Sequence, residues 1–363
     1  MATSAGRPTG VWMDVPLDRR TVVSRNSEPA VLPSIEETPM TKSIVRRVSA
    51  SYGRRLAAWR LIVLATALIL GLLPEAGWAC ACGCGVFDVG TGTMMPNGEG
   101  GTAFLEFDYM DQNQNWNGTS RAPGYNNSDK EILSDFVVAG FQYMFNRDWG
   151  VMALLPYTNR DFTTTTSSGS IQTFNGRGIG DIRIMGIYTG FSEDMSTGLI
   201  YGVKLPTGSY TATGLDRDVQ VGTGGTDLLL GGFHVGKLTE DNRWDWFVNG
   251  QLDQPVLKAA GYRAGEEIDS IAGIYFNDWT VANDTIKLVP IAQAKLSWRW
   301  RDAGPAADFG DSGYQRLYLS PGMEVDFERF KIYTDIALPV YTHMNGNQLI
   351  AYELFKLVGS IDF

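Results

Sequence analysis

The chain has 363 residues, with 30 Lys and Arg against 40 Asp and Glu, a formal net charge of −10, and 44% hydrophobic side chains. That acidity excludes a nucleic-acid partner, because neutralising phosphates takes Lys and Arg in excess. A mean hydropathy slightly below zero argues against a bundle of membrane helices, yet it suits a wall in which every second residue faces lipid.

The amino-terminal stretch reads as a targeting segment. Residues 42–60 carry Lys42, Arg46, Arg47, Arg54, Arg55 and Arg60 with no acidic residue, and 61–73 is an uncharged run, apolar apart from Thr66. The run is too short to span a bilayer as a helix, which takes about 20 residues. A basic segment ahead of a short apolar one is a secretory signal. Met40 opens a leader of ordinary length, so 1–39 is expected to be an upstream extension and 40–81 the signal peptide. Small residues allow cleavage after Ala79 or Ala81. Residues 1–79 hold 10 of the Lys and Arg and 6 of the Asp and Glu, which leaves a formal charge of −14 on the remainder.

Residues 82–100 are expected to form a periplasmic amino-terminal segment, and 101–363 a transmembrane antiparallel up-and-down β-barrel of about 12 strands. Period-two alternation carries this reading. Over 314–327 one face holds Leu317, Leu319, Met323, Val325 and Phe327, while the other holds Tyr314, Arg316, Tyr318, Ser320, Glu324 and Asp326. Segments 285–300, 330–341 and 244–253 repeat the pattern. Alternation is partial in 102–111, 132–145, 149–160, 180–191, 197–206, 226–238, 268–276 and 349–363.

The connections alternate in length. Long polar gaps at 112–131, 161–179, 207–225 and 302–313 alternate with short ones such as 146–148 and 192–196, as extracellular loops and periplasmic turns do in outer-membrane barrels. Two connections break the rule: 277–284 is a long turn and 342–348 a short loop. Pro156, Pro206, Pro255 and Pro339 lie toward the outer ends of strands, as a residue without an N–H should. Pro290 and Pro321 fall inside strands, so bulges are expected there. Trp149, Trp244, Trp246, Trp298, Trp300, Phe327 and Phe363 lie near strand ends, where aromatic rings sit at headgroup level.

Three motifs carry a family likeness. Gly178-Ile179-Gly180-Asp181 opens a strand, Lys204-Leu205-Pro206-Thr207-Gly208 closes one, and Gly222-Thr223-Gly224-Gly225-Thr226-Asp227 opens the next. In this order and spacing the region 175–363 resembles the outer-membrane transporter-like family named for the meta-pathway of phenol degradation. The resemblance implies a barrel associated with uptake of small, often aromatic or hydrophobic, compounds. The motifs themselves supply tight backbone at loop–strand junctions and an Asp to cap them.

Function in a barrel belongs to its bore. The alternation assigns Asp245, Asp253, Lys287, Lys295, Arg299, Arg316, Tyr318, Glu324, Asp326, Lys331, Tyr333 and Asp335 to the lumen. Mixed charges there either neutralise one another as a plug or line a wet path, and the expectation is a narrow channel for a small-molecule solute in the bacterial cell outer membrane. Its partners would be membrane lipid and lipopolysaccharide and the barrel-assembly machinery, and no catalytic residue, metal site or cofactor is expected.

Two other readings stand beside this one. The chain's three cysteines, Cys80, Cys82 and Cys84, are compatible with a soft-metal or redox cluster, a lipid anchor or no special role. With the cluster functional, the barrel would be a structural or adhesive scaffold. The other reading is an outer-membrane hydrolase, which would need His234 or His343, the two histidines of the chain. Asp111, Asn113 and Asn115 have calcium-loop spacing, but Trp116 replaces the Gly at position six, so the match fails as an EF-hand.

Overall fold

The computed structural model describes residues 95–96, 98–122, 129–166 and 168–363. Every regular element among them is a strand. In chain order these are β1 (Gly100–Gly118), β2 (Ser120–Arg121), β3 (Glu131–Met144), β4 (Trp149–Thr165), β5 (Ile171–Ile179), β6 (Ile182–Tyr188), β7 (Thr197–Leu205), β8 (Thr226–Lys237), β9 (Trp244–Leu257), β10 (Glu267–Phe276), β11 (Trp279–Val281), β12 (Ile286–Arg299), β13 (Tyr314–Phe327) and β14 (Phe330–Asp362).

Neighbours in sequence pair antiparallel around a ring that β1 and β14 close through registers such as Thr102↔Asp362 and Trp116↔Gln348. The Gly101 and Phe363 amides complete the seam at 2.9 and 2.8 Å. Closure leaves no edge strand, so each wall strand has a neighbour on both sides. Eleven strands form this closed antiparallel barrel, and β2, β5 and β11 extend it as side strands. β14 pairs with β13 up to Met344 and with β1 from Met344 onward. Its two halves also touch, since Thr334 Oγ1 donates to the Lys356 carbonyl at 3.0 Å and Asp362 N to that of Arg329 at 2.9 Å.

Alternation sorts the two faces. On β12, Lys287, Gln293, Lys295, Ser297 and Arg299 point into the barrel, and Ala292, Leu296 and Trp298 point out. On β13 the inward set includes Tyr314, Arg316, Tyr318 and Ser320, with Leu319 exposed outside.

The structure departs from the sequence expectation in several places. β1 continues to Gly118 through what reads as a loop, and β4 with β5 forms a hairpin inside the expected loop 161–179. Strand hydrogen bonding also runs through 342–348, and β11 lies within the expected turn 277–284. The stretches 112–118 and 342–348 are mostly polar on both faces, so they carry little alternation to read.

Pro206 and Pro255 lie at the outer ends of β7 and β9 as expected, but the bulges expected at Pro290 and Pro321 are absent. Register is unbroken at Pro290 and at Pro321. Pro290 sits where β12 changes partner, after Tyr275↔Ile291 on β10 and before Trp279↔Leu288 on β11. Pro321 sits in a gap of the β13–β14 ladder, between Leu319↔Leu338 and Gly322↔Asp335. Each lacks an N–H where a strand has no partner for it. Register shifts fall beside Pro255 and Pro339 instead, and others lie in the β1–β14 ladder. Pro156 lies in mid-strand, with β4 passing from β6 to β5 around it.

Candidate functional site

A cavity of about 200 Å³ opens inside the barrel. Its half toward the short turns is apolar, lined by Phe104, Met152, Met185, Ile187 and Phe233, with Met95 reaching in ahead of β1. Two inward glycines shape this floor. A Cβ on Gly140 would lie 2.0 Å from the Phe104 ring, and one on Gly198 would lie 2.3 Å from the Phe233 ring. The half toward the long loops is charged, with Arg160, Arg183, Lys204, Asp253, Glu267 and Arg299. An amphipathic hollow results, greasy below and ionic above.

The long connection between β7 and β8, residues 206–225, folds inward and roofs the cavity. Leu215 and Val219 are buried against Ile132, Phe162 and Leu349, which face inward from β3, β4 and β14. Gln220 braces the loop on itself, donating to the carbonyls of Ala212 and Leu215 at 2.9 Å each, while Arg160 donates to the Gln220 carbonyl at 3.2 Å. Arg217 stacks over the rings of Tyr210 and Tyr262, 4.7 and 4.4 Å from their centroids. Beyond the roof lies a second hollow of about 270 Å³, and Arg217, Asp218 and Tyr262 face both spaces. The loop is therefore a partition.

The three sequence motifs meet at the base of that loop. β5 and β6 both pair with β4, and the chain slips by one residue between them at Gly180-Asp181. Such a slip re-aims a side chain, and here it turns Asp181 inward. Asp181 Oδ1 accepts from Gly208 N at 2.9 Å, and its Oδ2 accepts from Thr223 N at 2.8 Å and Thr223 Oγ1 at 2.7 Å. Thr207 repairs the broken ladder by donating to the Gly180 carbonyl at 2.7 Å and accepting from Ile182 N at 2.9 Å. Gly208 and Gly222 lie backbone to backbone, where a Cβ on Gly208 would fall 2.7 Å from the Gly222 Cα. Just below, Lys204 bridges Asp227 and, at 2.7 Å, Asp253. One carboxylate thus holds both ends of the partition.

A neighbouring loop is pinned by Asp302, which accepts from Tyr262 Oη at 2.8 Å, Gly265 N at 2.7 Å and Arg299 at 2.8 Å. Burial pushes its carboxyl up to about 6, against the lowering effect of Arg299 and these donors.

The twelve residues assigned to the lumen from sequence divide sharply. Asp253 and Arg299 line the cavity. Lys295 pairs with Asp335 at 2.7 Å, and Ser320, Tyr333 and Gln293 all donate to that carboxylate. Arg316 lies 3.8 Å over the Tyr314 ring and 5.9 Å from that of Tyr318. Asp245 meets Lys237 at 3.2 Å and Asn277, which also accepts from Lys287 at 3.2 Å. Glu324 and Asp326 lie side by side within the fields of Lys287 and Lys331, and Lys331 bridges Asp362 at 2.9 Å. Outside the cavity, then, the selected charges on β12–β14 knit that wall together, and Asp245 ties β9 to β8.

No protein-family model and no curated protein matches the chain. Among solved structures, an outer membrane channel from Pseudomonas putida F1 superposes with a TM-score of 0.57 at 11% identity, covering 76% of this chain and all of that one. The two share a fold. The β domain of the Bordetella autotransporter BrkA reaches 0.45 at 13% identity over 73% of this chain and all of that one. A FadL homologue from Pseudomonas aeruginosa reaches 0.41 at 10% identity, over 79% of this chain and all of that one.

The remaining sequence candidates fall away from the cavity. His234 is on the outer face of β8, with Nδ1 2.7 Å from Thr197 Oγ1 and its ring 5.0 Å from that of Trp246. His343 lies within β14, opposite Gln315. Asp111, Asn113 and Asn115 belong to β1, where Asn115 donates to the Ala122 carbonyl at 2.7 Å. The cysteine cluster lies outside the described residues.

Proposed function

We propose that this barrel spans the outer membrane of a bacterium, long loops outward and short turns toward the periplasm, and that its cavity binds and passes small molecules with an apolar body. The cavity carries the reading: an apolar floor under a charged rim, roofed by a loop latched to the wall, is a place where a solute can rest and be released. The outer surface supports it. Trp149, Phe145, Phe327, Phe330 and Phe363 are exposed at the short-turn end, Trp298 stacks on Trp300 at the other, and Leu319, Ile336 and Leu338 are exposed between. Two aromatic belts around an apolar band suit a bilayer.

We count the two halves of β14 as separate staves, which makes twelve and gives the even number that single-chain bacterial barrels show. The convergence of the three motifs on Asp181 supports membership of the transporter-like family they resemble, since it gives each motif a part in one device. Membrane lipid, lipopolysaccharide and the barrel-assembly machinery are the partners this placement implies.

Reconstitution tests the proposal. The purified barrel should shift its gel mobility on heating in detergent and give discrete current steps in planar bilayers. A protein that stays soluble without detergent, or an inserted barrel silent at every voltage, would overturn it.

A further inference from the structure

The apolar floor of the cavity carries Gln142 on β3, between Thr102 of β1 and Met152 of β4 in the ladder, and Asn249 on β9, opposite Phe233. Gln142 points inward with Phe104, Met152, Met185 and Ile187 as fellow lining residues. Gln142 is 4% exposed, and its Oε1 has no hydrogen-bond partner. An apolar side chain of the same length would fill this position without leaving an orphaned acceptor, and a buried amide without a partner is costly. The inward lysines of the β12–β14 wall have partners built in, as Lys295 has Asp335 and Lys356 has Glu106. Gln142 faces a hollow instead.

We propose that Gln142 is the specificity-determining residue of the cavity, and that it selects apolar molecules bearing one neutral hydroxyl, held with that hydroxyl toward the short-turn end. The assignment rests on the reading of the cavity as a solute site and names the class of solute. A hydroxyl can donate to the amide oxygen or accept from its nitrogen, so it satisfies the group in either orientation. A plain hydrocarbon would leave the amide unpaired, and an ionised head would be set among Phe104, Met152, Met185 and Ile187, which offer it no charge. Charged groups have their own place at the opposite end, near Arg160, Lys204 and Arg299. A site built to hydrogen-bond a solute discriminates strongly against the analogue that lacks the group.

Calorimetry on the detergent-folded barrel tests this with cyclohexanol and its near-isostere methylcyclohexane, using protein-free micelles as the blank. Wild type should bind cyclohexanol about tenfold more tightly than Gln142→Met does, the value of one desolvated neutral hydrogen bond. Both proteins should bind methylcyclohexane equally, which also shows that the variant is folded. Loss of both solutes' binding in Gln142→Met with heat-shifted mobility intact, or an unchanged preference for cyclohexanol, would overturn the role of Gln142 alone. Absence of heat with either solute in wild type would overturn the solute site and this assignment together.

Discussion

Replacing Asp181 with Ala isolates the latch from everything else in the barrel. The substitution removes three hydrogen bonds to one buried carboxylate and strands the N–H groups of Gly208 and Thr223. Bonds to a charged acceptor contribute roughly 1.5–3 kcal/mol each, but the carboxylate's own desolvation offsets part of the sum. A net loss of about 4 kcal/mol follows, which is near a thousandfold in the equilibrium between latched and released loop. The packing of Leu215 and Val219 and the brace at Gln220 remain, so the loop should loosen without the wall unfolding. Hydrogen exchange read on peptides covering 206–225 measures this directly. Exchange at Gly208 and Thr223 should accelerate by two to three orders of magnitude, while peptides from β12 and β13 keep their protection. Asp181→Asn, which retains one acceptor oxygen, should fall between. Equal exchange in wild type and Asp181→Ala would refute the latch.

Other perturbations separate the parts of the account. Removing one partner of the buried pair, Lys295→Met, should destabilise the barrel by about 3–5 kcal/mol in urea titrations, and adding Asp335→Leu should recover most of that; a fully additive double variant would contradict the pair. Leu319→Arg puts a charge at an outward position in the apolar band and should cost about 2–4 kcal/mol in folding into lipid bilayers, with little effect in detergent. Asp302 has a carboxyl raised to about 6 when the loops are packed, so the packed arrangement gains stability as pH falls through 6 toward the carboxyl's ordinary range, and loses it as pH rises. Exchange in 258–266 and 300–313, corrected for its intrinsic pH dependence, should therefore slow between pH 7 and 4.5, and Asp302→Asn should abolish the trend.

How much of this was legible in the sequence depended on what fills each side of the wall. On β12 and β13 the interior is ionic and the exterior greasy, so alternation was plain and the inward side could be read off. On β3, β4, β6 and β7 the interior carries Phe136, Val138, Met152, Leu154, Met185, Ile187 and Ile200, so both faces are apolar and the alternation fades. Choosing residues by alternation therefore found the packed wall and overlooked most of the hollow one. Asp181 and Thr223 are 42 residues apart and meet only because β6, β7 and β8 lie side by side. The motifs marked those positions, but a tertiary contact between loops leaves no periodicity to find. Leu215 and Val219 were a usable hint, as apolar residues in a Gly-rich loop that would otherwise face water.

Single-channel recording with added solute tests the central claim most directly. Current steps through the reconstituted barrel should be interrupted by cyclohexanol in proportion to its concentration, with briefer interruptions in Gln142→Met. Steps indifferent to the solute at every concentration would contradict the claim that this hollow is where the molecule meets its cargo.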